Sequence, residues 1–231
     1  MSDAEAAETD ASPAPSRPRW WVYVLVAVGV AALAFAIGRF STFGTSSAVT
    51  PNPADIGFAR DMQVHHTQAI EMAMDIYRKT DDEELRSLAY DMATSQAGQR
   101  GEMYDWLVQW GLPQSGAPLM SWMTDAASGH AGHAGGAATG TPQTDAELRA
   151  AMGMATADEI AQLNAATGAQ ADCLFLTLMI RHHQGAIPMA DAVLELGSVP
   201  RVLAVAQSMK QGQTAEIDAM TAMEQRLGCT Q

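Results

Sequence analysis

The sequence of 231 residues is short of aromatic side chains, cysteines and positive charge. Aromatic residues make up 6% of the chain, so its core has to be built from aliphatic side chains and from methionine, which occurs 15 times. Two cysteines exclude a disulfide-rich scaffold and any four-cysteine metal site, but they allow one disulfide. Thirteen Lys and Arg against 26 Asp and Glu give a net charge of −13, which repels phosphate backbones and excludes nucleic acid as an expected partner.

The N-terminal part has the composition of a targeting segment. Residues 1–19 predict a disordered cytoplasmic tail, because they offer too little apolar surface to fold. Residues 20–38 carry no charge, and as a helix they would extend about 28 Å, enough to cross a bilayer. This run is longer than the apolar region of most cleaved signal peptides, so we favour an uncleaved signal anchor, although residues 46–48 resemble a cleavage site.

The charges around residues 20–38 give the orientation. Arg17 and Arg19 precede the run and Arg39 follows it, which places the N-terminus inside and the remaining chain outside. We therefore expect a single-pass protein of the cell membrane, with a linker at residues 39–53 and an extracytoplasmic domain at residues 54–229.

An internal repeat organises this domain. At an offset of 117 residues, FARDMQVHHTQAIEMA (58–73) aligns with FLTLMIRHHQGAIPMA (175–190), and the alignment continues without a gap to Gly111 and Gly228. Thirteen of the 54 aligned positions are identical, against about three expected by chance for ordinary composition. The sequence is therefore duplicated, with repeat units at about 55–111 and 172–228.

Each repeat unit predicts two helices, and two shorter helices lie between the units. Asp81 and Glu84 have the spacing of a capping box at the second helix, and Gly111, Gly197 and Gly228 mark helix ends. A flexible Gly/His loop is expected at residues 113–142. Two duplicated helical hairpins predict an all-α four-helix bundle. The predicted helices cover residues 55–78, 81–111, 144–152, 156–166, 172–196 and 200–227.

Four of the six histidines form two adjacent pairs at equivalent positions of the repeats. The heptad pattern places His65 and His182 on the core line of their helices, and it places His66 and His183 at the edge of that face. We expect the core-line pair to matter most for binding. Burying four imidazoles without partners would cost several kcal/mol, so the pattern favours metal ligation over a structural role.

Methionines accompany these histidines. Met62 and Met179 lie one turn before His65 and His182, although buried methionines more often serve as adaptable core packing. Thioether sulfur beside imidazole selects copper as Cu(I), and Ag(I) by the same softness, with Cu(II) and zinc as alternatives. A ferritin-type di-iron site would need Glu-x-x-His, and these two methionines occupy the positions three residues before the histidines. We therefore expect no enzyme activity.

The remaining two histidines, His130 and His133, lie in the Gly-rich loop. With Met120 and Met123 just before them, they could form a mobile metal-collecting arm. An incidental pair in a glycine-rich linker explains them equally well.

The segment MGMATADEIAQLNAATGAQAD (152–172), followed by FLTLMIRHHQGAIPMA, resembles the signature of the domain of unknown function 305 family over residues 54–229. The resemblance implies a ferritin-like bundle that binds Cu(I), Cu(II) or Ag(I) outside the cytoplasm without catalysis. The motif residues that carry over are Met62, His65, His66, Met72, Met179, His182, His183 and Met189.

The two cysteines fall at the same end of the second predicted hairpin. Cys173 begins the third long helix and Cys229 follows the fourth, so an antiparallel arrangement would bring them within disulfide distance. An oxidising compartment outside the cytoplasm would permit the bond.

These observations predict an extracytoplasmic, membrane-anchored protein that binds copper or silver and acts as a metal buffer, chaperone or tolerance factor. The alternatives are a ferritin-like, metal-dependent oxidoreductase and a structural bundle that binds no metal. Metal ions and the membrane are the expected partners, and the sequence identifies no protein partner.

Overall fold

The computed structural model describes residues 24, 27–31, 33–35, 50–123 and 144–229. The chain divides into two units, Met1–Ala48 and Val49–Gln231. In the first unit the described residues are helical and exposed. No helix within the described part of the chain is long and apolar enough to cross a membrane. Most of the predicted span at 20–38, and all of the predicted tail at 1–19, lie outside the described residues.

The second unit is an all-helical bundle, and its described residues contain no strand. Helix α1 packs against α2, α5 packs against α6, and α1 also packs against α5. The two predicted hairpins are therefore present and are joined through their first helices. The helices are α1 (Pro53–Lys79), α2 (Glu83–Gln109), α3 (Asp145–Ala151), α4 (Ala157–Ala165), α5 (Gly168–Leu196) and α6 (Pro200–Leu227).

The start of α1 fixes its direction relative to α5. Asn52 caps α1 by accepting from the backbone N–H of Ala54 and Asp55, and the Asp55 carboxylate accepts from the N–H of Asn52 in return. The Asn52 amide also donates to the carbonyl of Leu196 at 2.7 Å. Since Leu196 ends α5, the two helices run antiparallel.

The cap of α2 differs from the prediction by one residue. Asp82, rather than Asp81, accepts from the backbone N–H of Leu85 at 2.9 Å. The hydroxyl of Thr80 accepts from the N–H of Asp82, so the turn before the helix is one residue longer than the Asp81–Glu84 spacing suggested. Helix α5 begins at Gly168, four residues before the predicted start, and Thr167 makes no side-chain cap that could mark this position in the sequence.

Two short helices connect the repeats, as predicted. Each is capped by a threonine and a glutamate in a reciprocal capping box, Thr144 with Glu147 at α3 and Thr156 with Glu159 at α4. We refer to residues 144–166 as the connector.

The first part of the predicted flexible loop is folded against α1. The buried Asp61 carboxylate accepts from the backbone N–H of Met120 at 2.6 Å and from the indole N–H of Trp122 at 2.9 Å. Met120 and Met123 pack against the core, which contradicts the flexibility predicted for this part of residues 113–142. The composition of the loop suggested mobility, but a buried tryptophan and a carboxylate partner on α1 hold residues 113–123. The remainder, with His130 and His133, lies outside the described residues.

A disulfide joins Cys173 at the start of α5 to Cys229 after α6, the pairing that the sequence predicts. Their Cα atoms are 5.4 Å apart. The bond closes the α5–α6 hairpin at its open end.

The core divides into two methionine-rich clusters. The Met72 cluster includes Met72, Met179 and Phe175, whereas the Met62 cluster includes Met62 and Met189. Along both α1 and α5 the two clusters are separated by the histidine pair.

Candidate metal centre

The four paired histidines form one buried layer across the bundle. All four side chains have a relative exposure of 0%. The ring centres of His65 and His182 are 3.6 Å apart with a 32° angle between the rings, so the two core-line histidines meet between α1 and α5. His66 and His183 were expected at the edge, but α2 and α6 cover that side of the helices and bury both rings. Burial alone therefore does not rank the four histidines.

His66 and His183, which we call the outer histidines, are each hydrogen-bonded to the second helix of their own hairpin. Nε2 of His66 lies 2.8 Å from Oε1 of Gln99 on α2, and Nε2 of His183 lies 2.7 Å from Oε2 of Glu216 on α6. An amide oxygen and a carboxylate oxygen accept hydrogen bonds, so Nε2 of each ring carries the proton. The Nδ1 atoms then hold the free lone pairs.

Gln99 and Glu216 are themselves 117 residues apart. The alignment of the two repeats does not count them as identical, because one is an amide and the other an acid. The repeat offset is the signal that could have found them, since it pairs every residue that faces a histidine in one hairpin with a residue in the other.

Of the inner histidines, His65 and His182, only His65 has a hydrogen-bond partner in the connector. Nε2 of His65 lies 3.0 Å from the carbonyl oxygen of Met152, and that oxygen can only accept, so this ring also has its lone pair on Nδ1. Gly185 permits the approach, because a Cβ at this position would lie 2.0 Å from the Met152 oxygen.

Gln68 holds the same stretch of the connector from α1. Its amide donates to the carbonyl of Ala155 at 2.8 Å and accepts from the N–H of Ala155 at 2.7 Å. Arg181 makes two hydrogen bonds to Glu159, which fixes α4 against α5. Contacts from both α1 and α5 therefore hold the part of the connector that carries the Met152 carbonyl.

Five of the ring nitrogens in the layer have no hydrogen-bond partner in the protein. They are Nδ1 of His65, His66 and His183, and both nitrogens of His182. Buried polar atoms are rarely left without partners, and each such atom carries a desolvation penalty of about 1–3 kcal/mol. Neutral His182 keeps one N–H, so the five nitrogens carry four lone pairs, one for each ring, and together they point to a ligand that accepts lone pairs.

Two buried glutamines extend this pattern. The amide nitrogen and oxygen of Gln96 and the amide oxygen of Gln213 also lack hydrogen-bond partners. These residues lie on α2 and α6, one turn before Gln99 and Glu216, and they are identical at the repeat offset. They are two of the residues behind the thirteen identities of the repeat alignment, and identity at the offset is the sequence signal that marks them.

Burial keeps His65, His66 and His182 neutral. Desolvation, assisted by the neighbouring His66, lowers the pKa of His65 to about 3. Desolvation lowers the pKa of His66 to about 4, although the Gln99 hydrogen bond opposes the shift. Desolvation and the nearby histidines lower the pKa of His182 well below its ordinary value. Neutral imidazole is the form that binds metal ions, so no proton has to leave these three rings at neutral pH.

The predicted methionine ligands are distributed on both sides of the layer. Met62 and Met189 lie in one core cluster and Met72 and Met179 in the other, each fully or almost fully buried. The histidine pairs are therefore brought together by the fold, while the methionines are divided between its two faces. Within residues 50–123 and 144–229, no group of three or more His, Cys, Asp and Glu is arranged so that it could hold a metal ion.

Solved structures of other proteins resemble this architecture. A protein from Streptomyces coelicolor, described as secreted and as DUF305, is 38% identical over 77% of this chain and 94% of its own, with a TM-score of 0.64. A DUF305 fragment from Deinococcus radiodurans is 31% identical over 76% of this chain and 97% of its own, with a TM-score of 0.60. CopM in its Cu(II)-bound form is 26% identical over 74% of this chain and 96% of its own, with a TM-score of 0.53.

CopM in its Cu(I)-bound form is 24% identical, covers the same shares of both chains with the same TM-score, and shows the fold alone. The comparison with curated proteins gives no significant match. The family described as "Domain of unknown function (DUF305)" matches residues 55–224, nearly the whole helical unit. The chain therefore belongs to the DUF305 family.

Proposed function

We propose that this protein binds copper, or silver, outside the cytoplasm, and that it serves as a metal buffer, chaperone or tolerance factor without catalysing a reaction. The observation that carries the proposal is the set of five unpartnered imidazole nitrogens in a fully buried layer. A purely structural role for the histidines would leave these nitrogens without partners, whereas bound cations would accept the one lone pair that each ring offers.

The surroundings of the layer favour a soft ion. Imidazole suits several transition metals, but the buried thioethers of Met62 and Met179 on its two sides favour Cu(I) and Ag(I) over harder cations. The likeness to CopM in its Cu(II)-bound form supports copper as the metal class. Within this class we favour Cu(I), with Cu(II) and zinc as alternatives.

The available donors favour binding over turnover. The positions that would carry the glutamates of a ferritin-type di-iron centre hold Met62 and Met179, which are buried in the core. We therefore assign no catalytic residue.

We place the protein outside the cytoplasm, anchored by residues 20–38. The Cys173–Cys229 disulfide supports an oxidising compartment, and the Streptomyces coelicolor relative is described as secreted. Membrane anchoring rests on the charge-free run alone, and fractionation of cells expressing the full chain tests it. We expect the protein in the membrane fraction, resistant to extraction with salt. Release by salt would contradict the anchor.

Copper binding can be tested on the full chain, kept in a mild detergent because of residues 20–38. Cu(I) is titrated under reducing conditions in competition with a chromogenic chelator. The double variant His66→Gln/His183→Gln should lose most of its affinity, because a glutamine amide can still donate to Gln99 or Glu216 but offers no ring nitrogen.

The matched control is His130→Ala/His133→Ala, which removes the two histidines outside the layer and should bind as the wild type does. Thermal melts of the metal-free proteins check that each variant is folded. A wild-type chain that leaves all Cu(I) on the chelator would reject the proposed function. Loss of binding in the control alone would move the site to the loop.

A further inference from the structure

The inner histidines are badly oriented to share one metal ion. An imidazole nitrogen binds a transition metal at about 2.0–2.1 Å along its in-plane lone pair, so two rings on one ion have their centres roughly 5–6.5 Å apart. The centres of His65 and His182 are 3.6 Å apart, and the rings are stacked with only 32° between their planes. Their lone pairs lie in two stacked ring planes, which opposes their meeting at one ion.

The neighbouring histidines within each repeat have the spacing that the stacked pair lacks. The ring centres of His65 and His66 are 6.3 Å apart, and those of His182 and His183 are 6.2 Å apart. The angle between the ring planes is 52° in both pairs. In each pair both Nδ1 atoms are buried and have no partner.

Because the two hairpins are duplicated, this geometry also indicates how many metal sites the layer contains. The equal ring distances, and the matching bonds to Gln99 and Glu216, show that the two hairpins are related by an approximate twofold axis between α1 and α5. An ion on that axis would need His65 and His182 equally, which their stacking opposes. An ion away from the axis has an equivalent position in the other hairpin.

We propose that the chain holds two metal sites, one formed by His65 and His66 and the other by His182 and His183. We further propose that the second site is the tighter one, because Glu216 stands behind His183 where Gln99 stands behind His66. This inference rests on the proposed function and adds to it the number of ions and their order of binding.

The physical cause of the difference is the charge on the residue behind the outer histidine. A carboxylate that accepts the Nε2 proton makes the imidazole a better donor at Nδ1, and it offsets the charge of a bound cation in a buried environment. An amide oxygen accepts the same hydrogen bond without a net charge. Partners of this kind change metal affinity by about 10–100-fold, so the two sites should separate in a titration.

The test exchanges the two partners in the full chain. Wild type should bind two equivalents of Cu(I), the first at least about tenfold more tightly than the second. Glu216→Gln should weaken the first equivalent until the two become similar, and Gln99→Glu should strengthen the second. Both changes are nearly isosteric and keep an acceptor for the histidine proton, so each variant is the matched control of the other.

Silver gives a readout that does not depend on affinity. In the chain labelled with ¹⁵N-histidine, bound Ag(I) should produce nitrogen–silver coupling at Nδ1 of all four rings. The signals of His182 and His183 should change before those of His65 and His66.

The outcomes separate the two levels of the argument. A single bound equivalent that is lost when either pair is substituted would overturn the two-site inference but leave copper binding intact. Two equivalents of equal affinity, unchanged by Glu216→Gln, would overturn the assigned order. A chain that binds neither Cu(I) nor Ag(I) would reject the proposed function itself.

Discussion

The two repeats build the same half of a histidine layer but differ in what surrounds it. Both place adjacent histidines on the first helix and a hydrogen-bond acceptor on the second, at the same separation of 33 residues. The first repeat has a neutral acceptor and receives the Met152 carbonyl from the connector. The second has an acidic acceptor and a disulfide across its open end. Duplication thus preserved the donors, while the hydrogen-bond partners and the covalent cross-linking of the two halves diverged.

The largest expected effect is that of pH on the stability of the metal-free chain, because buried histidines with lowered pKa values lie in both hairpins. The folded state keeps His65 and His66 neutral down to pH values of about 3 and 4, whereas the same rings in the unfolded chain take up protons below about 6.5. Stability is therefore complete above pH 6.5 and falls as the pH drops towards the folded pKa values. Between pH 7 and 5 the loss should be on the order of 2 kcal/mol for each ring.

Denaturant unfolding with a metal chelator present, at several pH values, measures this loss. His66→Gln should remove the share of one ring from the pH dependence, while His130→Ala/His133→Ala should leave it unchanged. A stability that stays constant from pH 7 to 5 would show that the rings are charged or solvated in the folded state.

The disulfide is next in size, and it separates the hairpins directly. It closes a loop between residues 56 apart in the second hairpin, and the equivalent positions in the first hold Ile56 and Leu112. Cys173→Ala/Cys229→Ala should lower the free energy of unfolding by about 4 kcal/mol in the chain-entropy model. Denaturant unfolding of the oxidised wild type against this variant gives the difference. Under reductant the two should become nearly equal, and a difference that persists there would assign the effect to side-chain packing.

The connector offers a smaller effect, confined to one side of the layer. Gly185→Ala would place a Cβ 2.0 Å from the Met152 oxygen and 2.6 Å from the nitrogen of Gly153. Since both are backbone atoms, the connector has to move away from α5, at a cost of about 1–3 kcal/mol. Gly101→Ala is the control, because its Cβ would meet no atom within 4 Å, and it should stabilise α2 by about 0.5–1 kcal/mol.

Unfolding titrations of both glycine variants measure these changes. The chemical shift of Nε2 in His65 reports whether the bond to Met152 is broken. Equal stability of Gly185→Ala and wild type would mean that the connector is not seated against α5 in solution.

Much of this architecture follows from periodicity and from the offset of 117 residues. The offset pairs the histidines, the heptad pattern puts His65 opposite His182, and the positions of Cys173 and Cys229 in the hairpin predict their bond. Hydrophobic periodicity predicts these features well, because the burial of an apolar face determines how a helix is placed in the bundle.

Other features depended on contacts between segments that are distant in sequence. The order of residues 113–123 depends on Asp61, 59 residues before Met120. The burial of His66 and His183 depends on how closely α2 and α6 approach, and the partner of His65 is a backbone carbonyl that any residue type would supply. Composition and spacing carry no information on such contacts.

The smallest effect concerns the methionines, and it tests whether the two faces of the layer are connected to particular sites. Met62 belongs to the first repeat, yet it lines a crevice too narrow for a water molecule together with Ala186 and Gln213 of the second. Because α1 and α5 are antiparallel, its thioether lies beside the hairpin that holds His182 and His183. Met62→Leu keeps the volume of the side chain and should change stability by less than about 1.5 kcal/mol.

If the sulfur assists a soft ion at that site, Met62→Leu should lower the affinity of the tighter Cu(I) equivalent by up to about tenfold, or about 1.4 kcal/mol, without changing the affinity for Zn²⁺. Met179→Leu, at the equivalent position, should act on the weaker equivalent instead. Competition with a chromogenic Cu(I) chelator and a parallel zinc titration measure both. If neither leucine variant alters Cu(I) affinity, the methionines are core packing and the ions are held by imidazole. An equal loss at both equivalents would instead indicate that the methionines act through the packing of the whole layer, because a direct sulfur contact reaches only the nearer site.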